Sequence, residues 1–283
     1  MINNETTYEY DVKSTYKETN NFKVELTNKI NDHKQIILRN KEGVYVVTPS
    51  LNKSFKFQSE WPYNNSQVYL LQSIMQDIKN DKNRKIKIDD NKKIIESSVN
   101  YINNKKLVKQ KVIFSKKNIM KSVEVYNDDG IVQIRINFEK IKLNPKIEDD
   151  VFNLDKNISL EVEEKELPTG KIEDIIYPMY LPEDTKLTNQ QKFNIGNGER
   201  VILTFSNEDN KTMTFIQETA NNDENIVSVD GNLSHIGDVI GVINEEYLYW
   251  NTNGVDYYLI SNSIENDQLL EVAKSINTVS VIK

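Results

Sequence analysis

The side chains that most often do chemistry in proteins are few in this sequence and poorly spaced for it. The 283 residues contain two histidines and no cysteine. His33 lies in the turn-like segment NDHKQ and His235 in LSHIG, and neither belongs to an HExxH motif or to a pair with metal-ligand spacing. The sequence therefore predicts no metal and no cofactor, and it favours surface or structural roles for both histidines.

Adjacent acidic residues are the other candidates, because paired carboxylates bind calcium or form catalytic dyads. Three such pairs occur: Asp89-Asp90, Asp128-Asp129 and Asp149-Asp150. Neighbouring acids on a strand or turn point apart, and none of the pairs has the spaced ligands of a calcium loop. No GxSxG or GxxxxGK[ST] motif occurs either. The sequence predicts a protein that is not an enzyme, although a glycosidase-type carboxylate pair stays open.

Length and composition predict a folded, soluble chain with one large or two ordinary domains. Hydrophobic residues make up 37% of the chain and charged residues 28%, which is polar but sufficient for a packed core. The sequence contains no run of about 18 apolar residues, and therefore no transmembrane helix is predicted. The first residues lack the basic and apolar regions of a signal peptide.

Charge is divided unevenly along the chain. Residues 1–145 hold 26 Lys and Arg against 17 Asp and Glu, whereas residues 146–283 hold 10 against 26. Three explanations for this charge asymmetry stay open: an anionic partner for the first half, attraction between two domains, or solubility alone. The net charge of −7 argues against nucleic acid as a partner.

Strand patterns dominate the first half. Val132, Ile134, Ile136 and Phe138 alternate with polar residues, as in a strand with one buried face. Similar alternation predicts nine or ten antiparallel strands, interrupted by one helix, within residues 1–154. So many strands favour a strongly curved sheet or open barrel over a flat sheet.

A second, smaller domain follows. Residues 155–173 combine acidic side chains with Pro168-Thr169-Gly170 and are predicted to be a linker. Residues 174–283 are predicted to form a small β-rich α+β domain, with a tight hairpin turn at Asn253-Gly254. Its closing helix has apolar residues at i, i+3, i+4 and i+7: Leu269, Val272, Ala273 and Ile276.

The stretch FKFQSEWPYNNSQVYLLQSIMQDI contains the single helix of the first domain. Its apolar residues share one helical stripe: Leu71, Ile74, Met75 and Ile78. Pro62 ends the preceding strand and leaves Trp61 as an aromatic anchor at the hinge. Two interpretations stay open: the helix and Trp61 fill the core, or they cover an apolar cavity for an acyl chain or a partner's apolar segment.

The segment KKLVKQKVIFSKKNIMK predicts a basic surface on one strand and its turns. Its members are Lys105, Lys106, Lys109, Lys111, Lys116 and Lys117. Such a surface could contact an anionic membrane or wall polymer. The alternative is an ordinary solvated strand face.

Several of these segments together resemble a known family. The run GVYVVTPSLNKSFKFQSEWPYNNSQVYLLQSIMQDI, followed by KQKVIFSKK and KSVEVYNDDGIVQIRINF, resembles the LolA-like half-barrel lipoproteins of Gram-positive spore formers, the group related to the germination lipoprotein GerS. The resemblance covers roughly residues 6–154. The second half looks like a small domain found at the carboxyl end of such lipoproteins and of anti-sigma-factor-like envelope proteins. This resemblance implies a half-barrel whose concave side is covered by the helix.

The resemblance also implies a function. We expect a non-enzymatic binding protein at the outer face of a bacterial membrane, held there by a signal peptide and a lipidated cysteine that this sequence does not contain. Germination members of the family bind and support a cell-wall amidase, and we expect a protein partner of that kind. The alternatives are a carrier or sensor that binds acyl chains in the concavity, and a regulator of envelope stress.

Overall fold

Strands account for half of the residues that the computed structural model describes, which are 7–18, 20–51, 53–58, 61–62, 66–89, 91–159, 171–220 and 226–276. The strands form several sheets, most of whose neighbours are antiparallel, and the helices are few and short. The predicted mainly β fold class is therefore confirmed. None of these helices has the length and apolarity needed to cross a bilayer.

The elements follow one another in three strand-rich stretches. The first contains β1 (Tyr10–Lys17), β2 (Asn21–Asn28), β3 (Lys34–Asn40), β4 (Gly43–Thr48) and β5 (Lys53–Gln58). The second contains helix α1 (Leu71–Asn80), then β6 (Lys85–Ile88), β7 (Lys92–Ser98), β8 (Leu107–Ser115), β9 (Met120–Asn127) and β10 (Val132–Asn137). Helix α2 (Leu154–Ile158) precedes the third, which contains β11 (Lys186–Ile195), β12 (Gly198–Ser206), β13 (Thr212–Thr219), β14 (Ile226–Asp230), β15 (Asn232–Ile236), β16 (Val239–Ile243), β17 (Tyr247–Thr252), β18 (Val255–Ile260) and helix α3 (Asn266–Lys274).

The chain forms two compact units. The large unit comprises residues 1–59 and 149–283, and the small unit comprises residues 60–148. The predicted domains, 1–154 and 174–283, are each continuous in sequence, whereas the large unit combines two separate ranges. The domain limits stay a prediction. Most of the predicted linker, residues 160–170, lies outside the described residues, and its first residues belong to helix α2.

The first ten strands do not form one strongly curved sheet as the sequence predicts. Strands β1 to β5 belong to a sheet with the order β1-β2-β3-β4-β5-β14, whereas β6 to β10 form a separate sheet. The physical reason lies at β5, whose outer edge pairs in parallel with β14, with Phe55 opposite Val227. Because β5 is hydrogen-bonded on both edges, β6 cannot extend the same sheet.

The first sheet of the large unit is buried on both faces at its centre. On one face Val24, Ile37 and Val46 are cross-strand neighbours and are almost fully buried. On the other face the cross-strand pair Ile36 and Val47 is fully buried. Helix α2 and the short 3-10 turn before it contact β2, β3 and β4. Continuous apolar runs such as VYVV in β4 are typical of strands covered on both sides.

The second sheet of the large unit has the order β11-β12-β13-β18-β17-β16-β15. One face packs against helix α3, whose Leu269, Leu270, Val272 and Ala273 are buried. At the hairpin between β17 and β18, Asn253 and Gly254 have φ angles of 52° and 73°, the left-handed backbone that this tight turn requires. The structure confirms both the predicted closing helix and the predicted hairpin.

Buried polar contacts join the two sheets of the large unit. Lys53 Nζ of β5 lies 3.0 Å from Asp256 Oδ2 of β18, and the two side chains are only 3% and 10% exposed. The Tyr249 hydroxyl donates a hydrogen bond to Asp256 Oδ1 at 2.7 Å, and Asn251 Nδ2 donates to the same oxygen. These donors satisfy a carboxylate that burial alone would destabilise.

A second buried contact fixes the same joint. Gln35 of β3 donates from Nε2 to the Ile240 carbonyl at 3.3 Å, and its Oε1 accepts from the Ile240 backbone N–H at 2.6 Å. One side chain therefore satisfies both backbone groups of a residue in β16, as a paired strand would.

Substituting Lys53 by Met should lower the free energy of unfolding by about 3–5 kcal/mol, because the Asp256 carboxylate would remain buried without its counter-charge. Denaturant unfolding followed by tryptophan fluorescence measures this change. The control is Lys274→Met, which removes the partly exposed partner of Glu271 and should change stability by less than about 1 kcal/mol. Equal small losses in both variants would contradict a dominant role for the buried pair.

Candidate functional site

The predicted helix forms and packs on one face of the sheet of the small unit. That sheet has the order β10-β9-β8-β7-β6, and Ile95, Val112 and Val123 form a buried cross-strand row on it. Helix α1 turns Ile74 and Ile78 inward. Buried Gln110 of β8 donates from Nε2 to the Ile74 carbonyl at 3.2 Å and to Ser97 Oγ at 3.1 Å, which fixes the helix to the sheet.

Trp61 is buried, with 2% of its surface exposed. Tyr69, in the buried segment that leads into α1, is buried as well, with 8% of its surface exposed. The same segment is fixed by Ser66, whose backbone N–H donates to the Asn100 carbonyl and whose Oγ accepts from the Asn100 N–H. Trp61, Ile74 and Ile78 thus lie where the core interpretation puts them, and a ligand-binding role for them stays a prediction.

The other half of the predicted stripe lines an open pocket. Leu71 is half-buried, and Met75 is 47% exposed. The pocket encloses about 410 Å³ between the first turns of α1, the β8–β9 turn and the segment after β10. Its lining consists of Leu71, Gln72, Met75, Phe114, Asn118, Ile119, Met120, Ile141 and Leu143. The apolar stripe of α1 is therefore divided between packing and a surface-accessible site.

Sequence reasoning missed the pocket residues outside the helix. Phe114 and Met120 flank the turn between β8 and β9, and Ile141 and Leu143 alternate with lysines just after β10. That short alternation is a signal, but by itself it predicts only a longer strand. Only the fold places it beside α1.

Four of the six lysines of the predicted basic surface are exposed at the two ends of β8. Lys105 and Lys106 lie in the connection before β8, and Lys116 and Lys117 lie in the turn after it. The two pairs are separated by the nine residues of the strand, which corresponds to about 30 Å. The structure therefore gives two basic ends rather than one continuous patch.

The two remaining lysines interact with neighbours on the face of the sheet opposite α1. Lys111 Nζ lies 3.7 Å from Glu124 Oε2, and Lys109 Nζ lies 4.9 Å from the ring centroid of Tyr126. Glu124 also accepts a hydrogen bond from the Tyr126 hydroxyl at 2.6 Å and pairs with Arg135. The Tyr126 hydrogen bond, with Lys111 and Arg135, lowers the pKa of the Glu124 carboxyl, so this acid offsets part of the basic charge.

Two of the three acidic pairs considered for chemistry contribute a side chain with a structural role. Asp89 accepts hydrogen bonds from the backbone N–H groups of Asn91 and Lys92 in a turn, and Asp149 pairs with Lys17. Asp90 lies outside the described residues. Within the parts of the chain that are described, no group of three or more His, Asp or Glu side chains could hold a metal ion.

Asp77 on α1 is a partly buried acid. Burial raises the pKa of its carboxyl to about 6, against a usual value of 3.8, and a hydrogen bond with Ser66 opposes that rise. Because the folded-state pKa lies above the unfolded one, protonation of Asp77 favours folding. The stabilising contribution is complete below pH 3.8 and is lost as the pH rises through about 6.

The variant Asp77→Asn should therefore be most favourable relative to wild type near pH 7, and its advantage should shrink as the pH falls towards 4. Denaturant unfolding at a series of pH values measures the difference in unfolding free energy. Asp129→Asn, at an exposed turn position, reports the effect of the substitution alone. A pH-independent difference for Asp77→Asn would show that this carboxyl titrates alike in folded and unfolded chains.

Similarity to known proteins extends over nearly the whole chain. Residues 175–276 match a family model described as a domain of unknown function, DUF4367. The chain is 35% identical over 273 residues to the sporulation protein YdcC of Bacillus subtilis, covering 94% of this chain and 80% of that protein.

Two solved complexes show a weaker likeness. A Pseudomonas aeruginosa MucA/MucB complex matches at 10% identity with a TM-score of 0.32, covering 97% of this chain and 89% of the other. The CwlD amidase complex with the GerS lipoprotein of Clostridioides difficile matches at 12% identity with a TM-score of 0.27, covering 49% of this chain and 88% of the other. Both scores are too low to carry an argument, and the conclusion rests on sequence identity: the chain belongs to the family of the sporulation protein YdcC.

Proposed function

We propose that this chain is a non-enzymatic binding protein of sporulation that engages a protein partner at the outer face of a membrane. Family membership supports the cellular process, since the relative YdcC is named a sporulation protein. The observation that carries the binding mode is the edge strand β11. The LolA-like architecture, the membrane location and a cell-wall amidase as the partner, all implied by the resemblance, are finer parts of the same proposal.

Strand β11 has the properties of a docking edge. It is ten residues long, every residue in it is exposed, and it lies at one end of the second sheet of the large unit. A strand in this position presents a row of backbone N–H and C=O groups that another extended chain can pair with. Its length corresponds to about 34 Å of pairing surface.

Apolar side chains beside this edge supply a means of selecting the partner. Phe193 is 44% exposed and lies opposite Arg200, whereas Gln191 lies opposite Ile202 on the same face. Ile202 continues the row to half-buried Ile216 on β13. At the far end of this face, Tyr249 is covered by Phe55 of the first sheet, with ring centroids 5.0 Å apart. The face is therefore covered at β17 and accessible at β11.

An extended protein segment fits this arrangement better than a small molecule does. Addition of a strand uses main-chain hydrogen bonds for affinity and alternate side chains for specificity, and it requires no reacting group. Side chains of an added strand would lie next to Phe193 and Ile195, which are on the same face of β11. Binding, rather than catalysis, is the activity that this surface supports.

The double variant Phe193→Asp, Ile195→Asp should abolish partner binding, because charges next to the edge oppose apolar contact. We would express it in sporulating cells that lack the wild-type gene, and measure heat-resistant spores, germination and crosslinks from a photoreactive residue at position 191. We expect loss of function and of the crosslinked partner, with unchanged thermal unfolding of the purified variant.

The matched control is Ile30→Asp, Ile131→Asp, which makes the same chemical change at two exposed turn positions. It should behave as wild type. Normal sporulation with the β11 variant, or an equal defect with the control, would rule out β11 as the partner site.

A carrier of acyl chains is the second candidate, favoured by the mostly apolar pocket of about 410 Å³. Native mass spectrometry of the purified chain, after incubation with a bacterial lipid extract, separates the two functions. Because Ile74 is packed and the pocket is open to solvent, we expect a bare protein mass. Lipid adducts that disappear in a folded Leu71→Asp, Met75→Asp variant would make lipid carriage the function instead.

A further inference from the structure

We propose that the pocket end of the small unit docks on the surface of an anionic lipid bilayer. The pocket end consists of the first turns of α1, the β8–β9 turn and residues 139–143 after β10. In this arrangement the exposed apolar side chains enter the interfacial layer, and the surrounding lysines contact the headgroups. The inference concerns a surface distinct from β11 and does not depend on the protein partner.

Apolar side chains at this end are exposed to an unusual degree for a soluble surface. Leu143 is 68% exposed and lines the pocket together with Met75. Ile88 is 74% exposed, and the strand register places it opposite Lys93, which is opposite Phe114 of the pocket. These residues form a row that leads from the edge strand β6 to the pocket.

Lysines surround the same apolar residues. Lys93 Nζ lies 5.8 Å from the ring centroid of Phe114. Lys116 and Lys117 directly precede Asn118 of the pocket, and Lys140 and Lys142 flank Ile141. These five residues, Lys93, Lys116, Lys117, Lys140 and Lys142, are called the basic rim.

Acidic residues are sparse around the basic rim. Glu139 lies in the same segment as Lys140, and Asp89 lies near Lys92 in the neighbouring turn. The small unit as a whole holds 18 Lys and Arg against 11 Asp and Glu, in a chain whose net charge is −7. The small unit is thus net positive, and five of its basic residues lie where the apolar side chains protrude.

A bilayer surface matches both features, whereas a soluble polyanion matches only the charge. A soluble polyanion would neutralise the lysines and leave Leu143 and Ile88 in water. An anionic membrane offers negative charge at the surface and an apolar layer a few ångströms below it. Each lysine near such a surface contributes about 1 kcal/mol, which is roughly a fivefold increase in the partition coefficient.

Co-sedimentation of the full chain with vesicles tests the proposal. We expect binding to vesicles of phosphatidylglycerol and phosphatidylcholine, weakening with added salt, and little binding to phosphatidylcholine alone. Lys116→Glu, Lys117→Glu should lower the partition coefficient about tenfold or more. Lys140→Glu, Lys142→Glu reverses other rim charges, should give a similar loss, and replaces the first variant if that one does not fold.

The control is Lys105→Glu, Lys106→Glu, which makes the same change in net charge at the other end of β8. That end lies about 30 Å away, several times the Debye length of about 10 Å at 0.1 M salt. We expect less than about a twofold change. Equal losses for both lysine pairs would mean that overall charge drives binding, and the assignment of the pocket end as the docking surface would be wrong.

The apolar contribution is tested separately. Leu143→Asp should reduce binding about tenfold, whereas Ile30→Asp, an equally exposed change in the large unit, should have no effect. The proposal would be overturned if the wild-type chain did not bind anionic vesicles, or if it bound soluble polyglutamate as tightly as vesicles. The Phe193→Asp, Ile195→Asp variant should bind vesicles as wild type does, so that failure of one surface is distinguishable from failure of the other.

Discussion

The buried ion pair between Lys53 and Asp256 is the contact on which the architecture of the large unit depends. It joins the first sheet to the second across residues that are distant in sequence, and Tyr249 and Asn251 complete the hydrogen bonding of the carboxylate. A buried pair of this kind tolerates little change in geometry, because separating the charges leaves each one desolvated. The two backbone hydrogen bonds of Gln35 fix the same joint at a second point.

The position of β14 follows from that joint and limits the first sheet. With β14 paired in parallel along β5, both edges of β5 are occupied, and the first sheet cannot continue into β6. Residues 60–148 therefore build their own sheet, and α1 packs on that sheet alone, through Ile74, Ile78 and Gln110. The small unit therefore buries apolar side chains within its own sheet and helix.

The two surfaces proposed for binding are an edge strand and the rim of an open pocket. In the large unit the accessible feature is a long edge strand with apolar side chains beside it. In the small unit it is an open apolar pocket with lysines around it. Their chemistries differ, so the proposed partner and the proposed membrane contact do not compete for one site. Neither surface places the carboxylates considered for catalysis at its centre, since Asp89 and Asp149 serve turns and ion pairs.

Local patterns in the sequence determined the mainly β class, helices α1 and α3, and the Asn253-Gly254 hairpin, because periodicity and turn conformation depend on neighbouring residues. They also placed Leu71 and Met75 on the apolar stripe of α1, and identified the lysines around β8. Only the tertiary structure decided that Trp61, Ile74 and Ile78 are buried, that Glu124 offsets Lys111, and that Ile141 and Leu143 complete the pocket. Each of these depends on contacts between separate elements, and the alternation within one strand or helix does not specify which partner lies opposite.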